Sequence, residues 1–152
     1  PIRDLPTILE TLGDYQSSLK DIDVTCEYVR QALKRTITRK FSEAGQIRVF
    51  TLDNEIENLI VASLKKSEQG SYLAMDPDKI QGIITAFNKE TEKVRDVIPT
   101  PIILTSPIVR IYFKKLIDQF VPNVIVLSYN EIDNSVQIQS IGNISINVTQ
   151  EV

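Results

Sequence analysis

The sequence predicts an α/β protein: a small sandwich with a mixed sheet, preceded by two helices from a helical subdomain. Two uninterrupted apolar segments, residues 102–105 and 124–128, are typical of strands covered on both faces. A helical pattern at 107–120 separates them and predicts parallel neighbours joined by a right-handed crossover. The alternating segment 46–52 is expected to join the same sheet. A chain of 152 residues, 42% of them hydrophobic, can bury one such core.

The first 42 residues carry helical patterns only. Asp4 can cap a first helix, and Pro6 is tolerated in its first turn. Its apolar side has four residues: Ile8, Leu9, Leu12 and Tyr15. A second helix is predicted from five residues with the spacing of one helix face: Ile22, Cys26, Val29, Leu33 and Ile37. We therefore divide the chain into 1–42, the end of a helical subdomain, and 43–152, an α/β subdomain.

Two further helices have clear start signals. Asp53 or Asn54 is expected to cap the first of them, with Glu57 placed for a capping box. Asp76 followed by Pro77 is a strong start for the second, whose apolar residues keep helical spacing for about five turns.

The remaining segments are expected to be a loop and a hairpin. Residues 66–72, "KSEQGSY", form a turn-rich loop on this interpretation. Residues 136–141 and 144–148 alternate like strands, and the intervening Gly142 and Asn143 predict a hairpin that extends an edge of the sheet.

The residue types argue against an enzyme. The chain has no histidine, which removes the common triads, the usual acid/base and the usual nitrogen ligand of zinc. The single cysteine, Cys26, cannot form a thiolate metal site, and it is interpreted as a small apolar helix residue in an intracellular protein. Asp53, Asp76 and Asp78 are explained more simply as helix caps and first-turn charges. We predict no catalytic residue, no cofactor and no metal.

The charges do not suggest a nucleic-acid partner, because the net charge is −3 and the basic and acidic residues are interspersed. Arg110, Lys114 and Lys115 form a modest basic stripe, which is interpreted as solvated and offset by Asp118. No apolar segment approaches the roughly 20 residues that cross a bilayer. The first residue is Pro1, so we expect the chain to be a fragment of a longer protein.

The best chemical candidate is the start of the helix at 107, where Thr105 and Ser106 follow a buried strand. A helix N-terminus presents free amides to an anion. No glycine loop for a phosphate accompanies them, and a helix cap is the simpler interpretation of Ser106. A small anion- or nucleotide-binding α/β enzyme therefore remains a remote alternative.

Tyr129, Asn130 and Glu131 follow the second covered strand and form the candidate protein-binding site. Tyrosine is enriched at protein interfaces, which favours a docking role. The simpler alternative is a turn in which the Tyr129 ring covers the core while Asn130 and Glu131 face water.

Five segments in one order carry a resemblance to a known family. They are "PIRDLPTILETLGDY", "EYVRQALKRTITRKF", "EQGSYLAMDPDKI", "PIILTSPIVRIYFKKL" and "VIVLSYNEI". Together they resemble the C-terminal end of the FlhA family of flagellar type III export-gate proteins, whose virulence-associated injectisome members are similar.

The resemblance implies a non-catalytic module for docking and ring assembly in bacterial flagellum biogenesis. The family has a multi-pass membrane part upstream of a cytoplasmic region, so the chain is expected at the cytoplasmic face of the bacterial inner membrane. It also implies a nine-membered ring, with export substrates, their chaperones and other export-apparatus proteins as partners. The equivalent module of a virulence type III secretion injectisome is the nearest alternative.

Overall fold

The computed structural model describes residues 22–146, in which the chain forms five helices and six strands. The helices are α1 (Ile22–Ala32), α2 (Lys34–Phe41), α3 (Asn54–Ala62), α4 (Pro77–Glu92) and α5 (Pro107–Asp118). The strands are β1 (Gln46–Leu52), β2 (Leu64–Ser67), β3 (Gly70–Leu73), β4 (Ile102–Thr105), β5 (Ile125–Ser128) and β6 (Gln137–Ile144). A 3₁₀ turn, Tyr129–Glu131, follows β5 directly.

A four-stranded sheet with the order β5-β4-β1-β6 forms the centre of the fold. The predicted pairing of β4 with β5, and the predicted place of β1 beside them, are confirmed. Every neighbouring pair in this sheet is parallel. The antiparallel part of the predicted mixed sheet lies instead in a separate two-stranded unit of β2 and β3, at the segment that we expected to be a loop.

Helices cover both faces of the central sheet. On one face, the helices α3, α4 and α5 pack against strand side chains such as Phe50, Ile103 and Val126. On the other face, α2 contributes Ile37 and Phe41 to a smaller apolar cluster. Burial of each large side chain stabilises the fold by about 1.5–3 kcal/mol. Successive side chains of a strand point to opposite faces of the sheet, and both faces are covered here. The strands are therefore continuous apolar segments, which could be recognised from the sequence.

The predicted C-terminal hairpin is wrong. Residues 137–144 form one strand, β6, which runs parallel to β1 with a register shift opposite Val49 and Phe50. Gly142 lies within this strand because the backbone approaches a buried ring: a Cβ there would lie 3.0 Å from Phe50 Cδ1 and 3.2 Å from Glu90 Oε1. The glycine is required for close packing and makes no turn.

We expect Gly142→Val to lower the free energy of unfolding by about 1–3 kcal/mol, because the added side chain would meet the buried Phe50 ring and force it to shift. Chemical denaturation measures the change. Gly82→Ala is the matched control, since its new Cβ would meet only Ile146 Cγ2 at 3.7 Å and would stabilise α4 by about 0.5–1 kcal/mol. Equal stability of Gly142→Val and the parent would contradict this account.

The helical segment before the sheet differs from its prediction. It is broken at Leu33, whose N–H donates to the carbonyls of both Val29 and Arg30. Ile22 is 71% exposed and Cys26 is exposed, so the apolar face predicted from them is wrong at these two positions. The buried side chains of the two helices are two threonines, Thr25 and Thr38.

Two sets of predictions have no structural outcome. The first helix, with Asp4, Pro6 and its apolar side, lies outside the described residues. The subdomain boundary at 42/43 falls between α2 and β1 and stays a prediction. None of the helices described in residues 22–146 is long and apolar enough to cross a membrane.

Candidate docking surface at the end of β5

The predicted docking residues lie on the 3₁₀ turn at the carboxyl edge of the sheet, but they do not share one environment. Tyr129 is 49% exposed and Asn130 is exposed. Glu131 is fully buried, so the prediction that it faces water is wrong. Tyr129 does not cover the core either, so its ring is available to a partner.

Glu131 is buried because its carboxylate has internal partners. The Ser128 backbone N–H donates to Oε1 at 2.8 Å, and Oε2 forms an ion pair with Arg30 Nε of α1 at 2.7 Å. The Ser-x-x-Glu pattern of residues 128–131 is a local signal for this arrangement that the sequence interpretation missed. Glu131 is therefore held inside the fold, where it positions the turn.

A second residue of the helical segment holds the same turn. The Thr38 hydroxyl donates to the Glu131 carbonyl at 2.8 Å, and the hydroxyl oxygen of Thr38 accepts the Asp133 N–H at 2.8 Å. The turn is thus fixed to α1 by an ion pair and to α2 by hydrogen bonds. These contacts hold the backbone of the turn that carries Tyr129 and Asn130.

The phenol of Tyr129 stays neutral at physiological pH. Partial burial raises the pKa of Tyr129, and the negative charge of Glu57 raises it further. A neutral tyrosine combines apolar area with a hydrogen-bonding hydroxyl, the combination that protein interfaces favour.

The remote anion site at Thr105 and Ser106 is already filled by a carboxylate. Glu57 Oε2 accepts the Ser106 backbone N–H at 2.8 Å, so the capping box predicted for Glu57 in its own helix is wrong. Ser106 does occupy the N-cap position of α5, without a side-chain cap bond. Thr105 is fully buried and its hydroxyl donates to the Ser106 carbonyl at 2.9 Å.

The other acidic candidates are caps, as predicted. The Asp53 side chain accepts the Glu55 N–H, and the Asp76 side chain accepts the Asp78 N–H. No cluster of three or more potential metal ligands occurs in the described part of the chain.

The basic stripe of α5 is a structural element, and the prediction that it is merely solvated is wrong for Arg110. This guanidinium is 5% exposed and donates through Nε to both oxygens of Glu27, at 3.1 and 2.9 Å. Lys115 forms an ion pair with Asp23 at 2.7 Å. Lys114 donates to Asp118, as expected, and also to the Val124 carbonyl. The stripe joins α5 to α1 and to the sheet.

Known proteins are similar to this chain in sequence and in fold. The family model described as "FHIPEP family" matches residues 1–137. Over 146 residues, 95% of this chain, the sequence is 40% identical to the flagellar biosynthesis protein FlhA of Bacillus subtilis (strain 168), of which it covers 22%.

Solved structures superpose on the chain closely. One is the Chlamydia pneumoniae CdsV and CdsO protein complex, with a TM-score of 0.83 and 39% identity over 95% of this chain and 43% of that one. Another is the nonameric EscV cytosolic domain from the type III secretion system, with a TM-score of 0.75 and 35% identity over 94% of this chain and 42% of that one. The chain therefore spans about a fifth of the length of the FlhA relative and under half of the two solved chains.

Proposed function

The chain belongs to the FHIPEP family, and we propose that it is the C-terminal, cytoplasmic part of a flagellar type III protein export gate. In this proposal it is a docking and ring-assembly module without catalysis of its own, at the cytoplasmic face of the bacterial inner membrane. The observation that carries the flagellar assignment is the 40% identity with FlhA of Bacillus subtilis along 95% of the chain.

The docking part of the proposal is supported by the turn after β5. An exposed tyrosine and an exposed amide are held on a turn whose carboxylate is buried and whose carbonyl is hydrogen-bonded. Such a surface can recognise a partner without rearrangement, which reduces the entropic cost of binding. We propose that Tyr129 and Asn130 contact other export-apparatus proteins, export substrates or their chaperones.

The assembly part is supported by the solved relatives. The cytosolic domain of EscV is nonameric, and CdsV was solved in complex with CdsO. We propose that the intact protein of this chain likewise self-associates into a nine-membered ring.

The docking proposal is tested in the full-length gene with the double variant Tyr129→Ala/Asn130→Ala. Loss of an aromatic contact at the centre of an interface costs about 2 kcal/mol or more, so we expect secretion of flagellar proteins into the medium to fall at least about tenfold. Tyr72→Ala is the matched control, because Tyr72 is 51% exposed and belongs to β3 of the separate two-stranded sheet. Parental secretion by the double variant, or an equal loss with Tyr72→Ala, would refute the docking role.

The injectisome alternative is favoured by the similarity to EscV of a type III secretion system. Deletion of the gene distinguishes the two systems. Loss of flagellin and hook proteins from the medium supports the flagellar gate, whereas loss of effector proteins with intact motility supports the injectisome.

A further inference from the structure

A groove of about 690 Å³ lies between the helical segment α1–α2 and the outer side of β5. Five cationic side chains line it, and no carboxylate does: Arg30, Arg39, Lys40, Arg110 and Lys114. We call it the basic groove. It is separate from the Tyr129 surface, since no residue of the 3₁₀ turn lines it.

The cations of the basic groove are of two kinds. Arg30, Arg110 and Lys114 are held by internal carboxylates and carbonyls, so their positions are fixed. Arg39 and Lys40 are exposed and make no ion pair with any residue in the described part of the chain. They belong to α2, whose eight residues include four cations and no acid. The summed potential of the groove is therefore positive and favours an anionic partner.

The floor of the basic groove is apolar. It includes Leu33, Ile37 and Phe41 of the helical segment and Ile125 of β5. Lys40 Nζ lies 5.5 Å from the centre of the Phe41 ring, so charge and apolar surface are interleaved. A ligand that matches both the cations and the apolar floor must combine carboxylates with large apolar side chains. A small inorganic anion would leave the apolar floor uncovered.

The hydrogen bonds at the edge of β5 indicate whether a partner would bind as a strand or as a helix. An open strand edge can accept an additional strand through its backbone groups. Here the outward carbonyls of Val126 and Val124 already accept hydrogen bonds, from Arg110 Nη1 at 3.0 Å and from Lys114 Nζ at 2.8 Å. A partner strand would have to displace both side chains. A helix instead needs only side-chain contacts, because its backbone bonds are internal.

We propose that the basic groove is a docking site for an acidic amphipathic helix of a partner protein, with Glu or Asp side chains at Arg39 and Lys40 and apolar side chains on the groove floor. This inference depends on the groove alone and not on the proposed function.

The test uses the full chain and a fluorescein-labelled peptide of about 18 residues with Glu and Leu at helical spacing. Fluorescence anisotropy measures its affinity. We expect saturable binding that weakens as NaCl rises from about 50 to 300 mM, and at least about tenfold weaker binding of the same peptide with Gln in place of Glu.

A charge reversal and a charge neutralisation at Arg39 and Lys40 locate the site. Arg39→Glu/Lys40→Glu is expected to weaken binding at least about tenfold, and Arg39→Gln/Lys40→Gln to weaken it by an intermediate factor. Arg35→Glu is the matched control: Arg35 is exposed on the same helix but lies outside the groove lining, so its reversal should weaken binding several-fold less than Arg39→Glu/Lys40→Glu does. Circular dichroism verifies that each variant is folded.

Three outcomes would overturn the proposal. Equal weakening by Arg35→Glu would mean non-specific attraction to a basic helix. The second is absence of peptide binding by the full chain, which would leave residues 1–21 of the same chain as the candidate occupant of the groove. A concentration-dependent dimer in sedimentation, lost in Arg39→Glu/Lys40→Glu, would assign the groove to a second copy.

Discussion

The Arg110→Met variant is expected to lose about 3–5 kcal/mol of unfolding free energy at neutral pH, the usual effect of removing one partner from a buried ion pair. Arg110 donates to both carboxylate oxygens of Glu27 and, through Nη1, to the Val126 carbonyl. Methionine fills a similar volume, but it leaves the mostly buried Glu27 carboxylate without its ion-pair partner. The loss therefore measures an uncompensated charge rather than a cavity.

The loss should depend on pH in a defined direction. Burial raises the pKa of Glu27 above its ordinary value of 4.5, and the charge and hydrogen bonds of Arg110 partly counter this. A raised carboxyl pKa in the folded state favours folding at low pH, and this contribution is lost as the pH rises through the folded pKa. Without Arg110 the pKa of Glu27 rises further. The difference in unfolding free energy between Arg110→Met and the parent should therefore be smaller at about pH 5 than at pH 7.

Urea denaturation at several pH values measures both effects. Lys115→Met is the matched control: it removes the neighbouring ion pair between the same two helices, but with Lys115 largely exposed it should cost at most about 1 kcal/mol. The double variant Glu27→Gln/Arg110→Met should recover most of the stability, because neither charge of this pair remains. A pH-independent loss, or a loss equal to that of Lys115→Met, would show that the pair does not act as an isolated buried charge.

The centre of the fold could be predicted because its signals are local. The apolar segments of β4 and β5 and the caps Asp53 and Asp76 are each contained in a few consecutive residues. The place of Gly142 could not be predicted in this way. A glycine is needed at this position because the Phe50 ring, about 90 residues earlier in the chain, lies against it. The local pattern of a glycine before an asparagine is that of a hairpin turn.

The exposure of the candidate docking residues could be predicted only in part. Tyr129 and Asn130 are exposed at the end of a strand, as the apolar-to-polar change in the sequence indicated. The burial of Glu131 depends on Arg30, which belongs to the helical segment and is about 100 residues away. An acidic residue in a polar turn is normally exposed to solvent. The sequence around Glu131 therefore predicts exposure, and the ion pair with a distant residue that buries the side chain has no local signal.

The Glu131→Ala variant is expected to lose about 3 kcal/mol of unfolding free energy, because it removes a buried partner of Arg30 and leaves the Ser128 N–H without its acceptor. Glu131→Gln should lose about 1–2 kcal/mol, since an amide oxygen can still accept that N–H while the charge is absent. Chemical denaturation gives both values. Glu68→Gln, in the exposed turn between β2 and β3, is the control and should stay within about 0.5 kcal/mol of the parent.

The same variants separate the two roles of the turn. If the orientation of Tyr129 matters for docking, Glu131→Gln should lower secretion in the full-length protein although the substituted residue is not at the surface. Tyr129→Ala/Asn130→Ala should lower secretion with little loss of stability, since both side chains are exposed. Reduced stability of Glu131→Gln with parental secretion would mean that Glu131 only stabilises the fold. Parental stability of Glu131→Ala would mean that the buried carboxylate does not hold the turn, and the rigid presentation of Tyr129 would lose its physical basis.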